Sequence, residues 1–201
     1  LVRRELGEPG DELELNARSS EVLDRVMAQS WVIAHRAPSL KPTAFLAFRP
    51  VRRPDNAIGL FPLACWMMNA DFDGDQMAVY LPVTDAGQRE AGERLTISAH
   101  LERDPDLLAY LAPWKDAMLG LASVGSSPAG VDEVRELIGA DVSTQNGMVT
   151  REALINALRS LLRDAGPAAA LRAAERLMRK GFDVSRDLGG SVSPFVGAEM
   201  D

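Results

Sequence analysis

Cysteine is almost missing from this chain: Cys65 is the only one among 201 residues. A single thiol excludes an intrachain disulfide, and its apolar surroundings mark it as a buried, unreactive group that fits a cytoplasmic protein. Long apolar runs are missing too. None approaches the roughly 18 residues of a transmembrane helix, so no membrane partner is expected. The N-terminus, Leu1-Val2-Arg3-Arg4-Glu5, shows neither an initiator methionine nor a secretory pattern, and reads as part of something longer. The two histidines, His35 and His100, have no partnering spacing and read as surface or capping residues. Acidic residues are absent between Asp24 and Asp55, where Arg25, Arg36, Lys41, Arg49, Arg52 and Arg53 all fall. The net charge of −7 argues against the whole chain coating nucleic acid. That local basic segment suits either a phosphate-handling site or a solvated face.

What is present is ordinary for a globular protein: 46% hydrophobic and 25% charged residues. Residues 1–18 are polar and broken by Gly7, Pro9 and Gly10, with a short strand pattern in Asp11-Glu12-Leu13-Glu14-Leu15. Ser19-Ser20 predicts a helix start, running to Ser30 on Val22, Leu23, Val26 and Met27. Strands are expected at 31–34, 44–48, 58–61 and 77–81, with a proline-bearing loop at 35–42. After Pro82 the pattern turns helical. Helices are expected over 86–101, 104–111, 113–122 and 131–138, then a turn or hairpin around Asn146-Gly147. A leucine-striped helix capped by Thr150 follows, then another over 168–180 that Gly181 ends. The remainder, 182–201, reads as loop. A soft boundary near residue 100 separates a strand-rich front from a helical back, an α+β chain.

One stretch stands apart: Asn69-Ala70-Asp71-Phe72-Asp73-Gly74-Asp75-Gln76-Met77. In an extended strand Asp71 and Asp75 would lie roughly 13 Å apart. A magnesium ion wants its oxygens at about 2.0–2.1 Å, so the loop must curl, and Gly74 is the residue that permits it. Without a cation, carboxylates about 5 Å apart repel by roughly 3 kcal/mol per pair at an effective dielectric of 20. A calcium loop of the EF-hand type fits the first half. Its twelfth position is Tyr80 where a bidentate glutamate belongs, and its flanks read as strands rather than helices. An acidic surface turn is the plain alternative, set against the apolar sequence on both sides.

The same stretch, with the Ala78-Val79 that follows it, resembles the catalytic signature of the largest (bacterial beta-prime) subunit of multisubunit DNA-dependent RNA polymerases. Further likeness lies in Arg36-Ala37-Pro38-Ser39-Leu40 upstream, in the apolar segments of 45–62 and, more loosely, in Leu177–Ser193. It is strong over roughly 20–95 and weak beyond. Tyr80 stands where the family usually has histidine, and Lys41-Pro42 where it has His-Arg.

The resemblance implies a double-psi β-barrel catalytic domain over 1–100 and a mainly helical pore or secondary-channel domain over 101–201. It implies Mg²⁺ held by Asp71, Asp73 and Asp75, with Arg36 and Asn69 positioning the ribose of an incoming nucleotide. The amide of Asn69 can both donate and accept, which suits a 2′-hydroxyl. The implied reaction is Mg²⁺-dependent nucleotidyl transfer in DNA-templated transcription, without a protein general base. The implied partners are a beta-like second large subunit, the other core subunits, DNA template, RNA transcript and nucleoside triphosphates. The implied place is the cytoplasm, at the nucleoid. The chain would be active only within that complex. The alternative is a non-catalytic paralogue that keeps the loop as a metal-binding structural or interaction domain.

Overall fold

The computed structural model describes residues 16–189; the expected strand at 11–15 and most of the expected C-terminal loop lie outside them. The chain divides into two compact units, Leu1–Asp104 and Pro105–Asp201. The architecture is α+β.

The first unit opens with helix α1, Ala17–Gln29. It begins earlier than the Ser19-Ser20 pattern predicts, because Asn16 is its cap. The Asn16 side chain accepts from the Ser19 N–H at 2.9 Å, and the Ser19 hydroxyl accepts from the Asn16 N–H at 2.8 Å. Ser19 thus closes a reciprocal capping box from inside the first turn. Strands β1 (Val32–His35), β2 (Phe45–Phe48) and β3 (Ala78–Tyr80) form one antiparallel sheet in the order β2-β1-β3. The register pairs His35 with both Phe45 and Ala78. A short 3₁₀ turn, Pro42–Ala44, leads into β2.

The expected strand at 58–61 does not form. The apolar run after it is helix α2, Pro62–Met68, with proline in its first turn and Asn69 ending it in the left-handed conformation (φ 52°). Proline suits a helix start, where its missing N–H costs nothing, and asparagine tolerates the left-handed stop. Periodicity cannot separate a seven-residue buried helix from a buried strand; these two end residues could have.

Leu63, Ala64, Cys65, Met67 and Met68 of α2 are buried with Leu46 and Ala47 of β2 in the core of this unit. Cys65 is therefore the buried thiol its surroundings imply, and burial pushes its pKa up. The helix expected over 86–101 is two, α3 (Asp85–Arg94) and α4 (Ile97–Arg103). Thr96 makes the break by capping α4, its hydroxyl accepting from the Ala99 N–H. His100, expected at the surface or as a cap, is buried, and its Nε2 has no hydrogen-bond partner among the described residues.

The second unit is helical: α5 (Leu108–Leu111), α6 (Lys115–Val124), α7 (Pro128–Ile138), α8 (Arg151–Ala165) and α9 (Pro167–Leu188). Thr150 caps α8 as the sequence predicts, and Gln145 and Met148 pair across the Asn146-Gly147 turn. Leu108, Leu121, Val134, Ile138, Leu154, Leu158 and Leu177 are buried in its core.

Gly181 does not end α9, which continues to Leu188. It is a packing residue. A Cβ there would lie 2.1 Å from the Ala117 carbonyl oxygen of α6, and one on Gly120 would lie 2.0 Å from the Gly181 carbonyl oxygen. The two helices touch backbone to backbone, and a methyl group must push them apart. Gly181→Ala is expected to destabilise the helical unit by about 2 kcal/mol, the scale of core overpacking. Urea denaturation followed by circular dichroism measures it, and an unchanged midpoint would refute the contact.

Candidate metal centre

The sheet and α2 bring the cluster together from opposite ends. At its start, α2 delivers the chain to Asn69, whose left-handed turn lets the Ala70 N–H reach back to the Cys65 carbonyl at 2.8 Å. The Thr43 hydroxyl donates to the Met67 carbonyl at 2.5 Å and ties the end of α2 to the turn before β2. At its end, the chain enters β3 and pairs with β1. Because His35 faces Ala78, the next residue of β1's path, Arg36, lies beside the approach to β3. The Arg36 N–H also donates to the Ala44 carbonyl at 3.3 Å, which extends the β1–β2 side of the ladder. Gln88 of α3 braces this frame: its amide bonds both the N–H and the carbonyl of Trp31, and the carbonyl of Pro82.

Within that frame the loop curls as the spacing requires. Gly74 adopts φ +114°, a region nearly closed to residues with a Cβ, although a Cβ there would touch nothing. The demand is on the backbone, not on space. Asp71, Asp73 and Asp75 each offer a carboxylate oxygen, and these oxygens lie within 4.8 Å of one another. Neighbouring corners of a magnesium octahedron are about 3 Å apart and opposite ones about 4.2 Å, so side-chain rotations that bring the oxygens up to about 2 Å closer would seat all three on one ion. The donors are hard anionic oxygens, the class that magnesium and manganese prefer. The residues present fit such an ion. Asp71 and Asp73 are exposed and Asp75 is partly buried, beside an open cleft of about 560 Å³ that Ile58, Leu60 and Phe72 also line.

Arg36 answers much of the negative charge. Its Nε donates to Asp75 Oδ2 at 2.7 Å and its Nη2 to Asp75 Oδ1 at 2.9 Å, a bidentate pair with side chains 18% and 20% exposed. Asp75 Oδ2 also accepts the Asp71 N–H at 3.1 Å. The Arg36 hydrogen bonds, then that backbone N–H, hold the Asp75 carboxyl below the usual aspartate range. Asp73 goes the other way: its hydrogen bond with Asp71 and the charge of Asp71 push its carboxyl up. Neighbouring carboxylates whose values separate in this way are a repelling set with one member neutralised.

The helix before the loop corrects the expectation of strands on both flanks. The calcium-loop reading still fails, since Tyr80 rather than glutamate holds the twelfth position and β3 follows the loop. Asn69 lies at the mouth of the loop, exposed, with its backbone serving as the helix stop. The basic segment is partly neutralised. Arg52 pairs with Asp24, Arg53 with Asp55, and Arg49 lies over the Trp31 ring at 3.8 Å. The family resemblance assigns Arg36 to a ribose and gives no sign of its pairing with Asp75, which depends on the β1–β3 ladder.

Residues 5–97 match the family model described as RNA polymerase Rpb1, domain 2. Over this segment, a little under half of the chain, the protein is similar to the largest subunits of RNA polymerases. The DNA-directed RNA polymerase subunit beta' of Lactococcus lactis subsp. cremoris is 40% identical over 100 residues, 50% of this chain and 8% of that protein. The same subunit of Bifidobacterium longum is 39% identical over 110 residues, 55% of this chain and 8% of that protein. That of Ligilactobacillus salivarius is 36% identical over 134 residues, 64% of this chain and 11% of that protein. The chain thus spans about a tenth of the length of those beta' relatives, and residues 5–97 of the family match contain the whole aspartate loop, α2 and the three strands.

The split between Asp75 and Asp73 is directly measurable. In a carbon-detected NMR titration without metal, Asp75 is expected to titrate below an ordinary aspartate and Asp73 above it. For Asp75 the folded value is lowered, so its contribution to stability is present above the unfolded value and is lost as pH falls through the folded one. For Asp73 the sign reverses, and stability is lost as pH rises through its raised value. Coincident midpoints would show that the cluster is not held as described.

Proposed function

We propose that this chain is a piece of the catalytic core of a beta-prime-type RNA polymerase subunit, and that Asp71, Asp73 and Asp75 hold the Mg²⁺ of its active centre. The observation that carries the proposal is the convergence of three carboxylate oxygens within 4.8 Å, on a glycine-curled loop inside the segment that matches the family. In this reading the small sheet is part of a double-psi β-barrel, and the helical unit after Asp104 is a pore or secondary-channel domain. The expected setting is cytoplasmic, at the nucleoid.

When bound, the ion would supply Lewis-acid activation of an RNA 3′-hydroxyl and stabilise charge on the oxygens of the phosphate under attack. The chain's own residues do the holding and the aiming. The three aspartates fix the position of the ion through the backbone of Gly74 and Asn69. Arg36, on the far side of Asp75, and Asn69, at the loop mouth, orient the ribose of the incoming nucleoside triphosphate. An amide and a guanidinium can together address vicinal hydroxyls with donors and an acceptor. The reaction needs partners, since DNA template, RNA end and nucleotide must meet at one point. These are a beta-like second large subunit and the remaining core subunits.

The test is reconstitution. The chain, in its full-length context, is co-purified with a beta-like subunit and assayed by primer extension with Mg²⁺. Asp73→Ala is expected to lower RNA synthesis by at least about 10³-fold, since a lost ligand removes the ion on which the chemistry depends. Unchanged synthesis in the variant would overturn the reading. Wild-type assembly and Mg²⁺ binding without any synthesis would leave a metal-binding scaffold instead.

A further inference from the structure

Asp75 has little coordinating capacity left. Its Oδ2 accepts two hydrogen bonds, from Arg36 Nε and the Asp71 N–H, and its Oδ1 accepts a third from Arg36 Nη2. Each carboxylate oxygen has two in-plane lone pairs, so Oδ2 is saturated and Oδ1 has one direction free. A divalent cation that takes Oδ2, or that turns the carboxylate toward Asp71 and Asp73 to use the free direction of Oδ1, therefore competes with Arg36 for Asp75. Charge works in the same direction. The metal-free cluster plus Arg36 carries −2, and placing a doubly charged ion on the carboxylates puts the guanidinium within a few ångströms of a like charge. The pair is partly shielded from water, with side chains 18% and 20% exposed, so that repulsion is less damped than on an open surface.

We propose that Arg36 is a cation-displaced latch: it neutralises Asp75 while the cluster is empty and is released when a divalent ion takes Asp75. The latch rests on the reading of Asp71, Asp73 and Asp75 as a divalent-cation site. It has two physical consequences. The empty loop is kept curled by an internal cation instead of springing open. And the guanidinium becomes available to a hydroxyl-bearing or anionic ligand only once the ion is in place, so ion and ligand bind cooperatively. By reciprocity the factor by which Arg36 weakens the ion equals the factor by which the ion weakens the Arg36–Asp75 pair.

The full chain is titrated with Mg²⁺ and with Mn²⁺ by calorimetry, as wild type, Arg36→Gln and Arg36→Lys, with circular dichroism confirming the fold of each. The Arg36 Nε–H resonance is followed in arginine-labelled wild type. Arg36→Gln is expected to bind both ions roughly tenfold more tightly, within the usual range of such couplings. Arg36→Lys, which keeps the charge but not the two-pronged contact, should fall between. In wild type the Nε–H signal should leave its hydrogen-bonded position as Mg²⁺ is added, with the same midpoint as the heat. Equal or weaker binding by a folded Arg36→Gln, or an Nε–H signal that stays put through saturation, overturns the latch and leaves the metal site standing. Titrations that match those of an Asp71→Asn/Asp73→Asn/Asp75→Asn chain in every case overturn the metal site and the latch with it. Should Arg36→Gln not fold, the resonance and the lysine variant still decide.

Discussion

Three carboxylates within 4.8 Å of one another will not stay there unaided. At about 5 Å each pair costs roughly 3 kcal/mol at an effective dielectric of 20, and the loop that carries them is exposed and short. Much of the first unit can be understood as the answer to that repulsion. One end of the loop is fixed by a helix with a buried face and a left-handed stop. The other is fixed by a strand hydrogen-bonded to its neighbour. Between them Gly74 takes the bend that other residues resist, and Arg36 supplies a positive charge from the adjoining strand. Remove any of these and the aspartates are free to separate.

The supports are spread through the sequence but meet through one ladder. β1 pairs with β2 on one side and β3 on the other, so the residue just past its end adjoins the turn before β2 and the loop before β3. Arg36 occupies that position. Thr43, in the turn, reaches the carbonyl of Met67 near the end of α2, so the two ends of the aspartate loop are referenced to the same few residues. Gln88, from α3, fixes the start of β1 and the exit from β3 with a single amide. Side chains far apart in sequence thereby share one rigid reference, which a coordination site needs more than it needs affinity.

The curl of the aspartate loop and its glycine bend were legible because each is a local pattern with a local physical demand, whereas Arg36 was marked out by the family resemblance alone. Thr150 and the Asn146-Gly147 turn were legible for the same reason: caps and tight turns are set by the residues that make them. The failures are equally specific. Residues 59–68 are apolar without interruption, so their period is invisible, and helix was mistaken for strand although Pro62 and Asn69 bracket it. Gly181 looked like a helix stop because its helical partner, the backbone of α6, is sixty residues away. His100 reads as a surface or capping residue because a lone histidine carries no sign of the elements that bury it. Each of these depends on a contact between distant residues, which a single sequence does not display.

The Arg36–Asp75 pair belongs to that class as well, and it changes what the site is. Without it the cluster would be an anionic pocket waiting for any cation. With it, the cluster already contains a cation of its own, held by two hydrogen bonds at 2.7 and 2.9 Å. A weakly attracted monovalent ion gains little by replacing a guanidinium so placed. A compact divalent ion, with twice the charge and oxygens at about 2.1 Å, would gain more. On the proposed reading, selectivity for a small divalent ion would come partly from the aspartates and partly from the arginine.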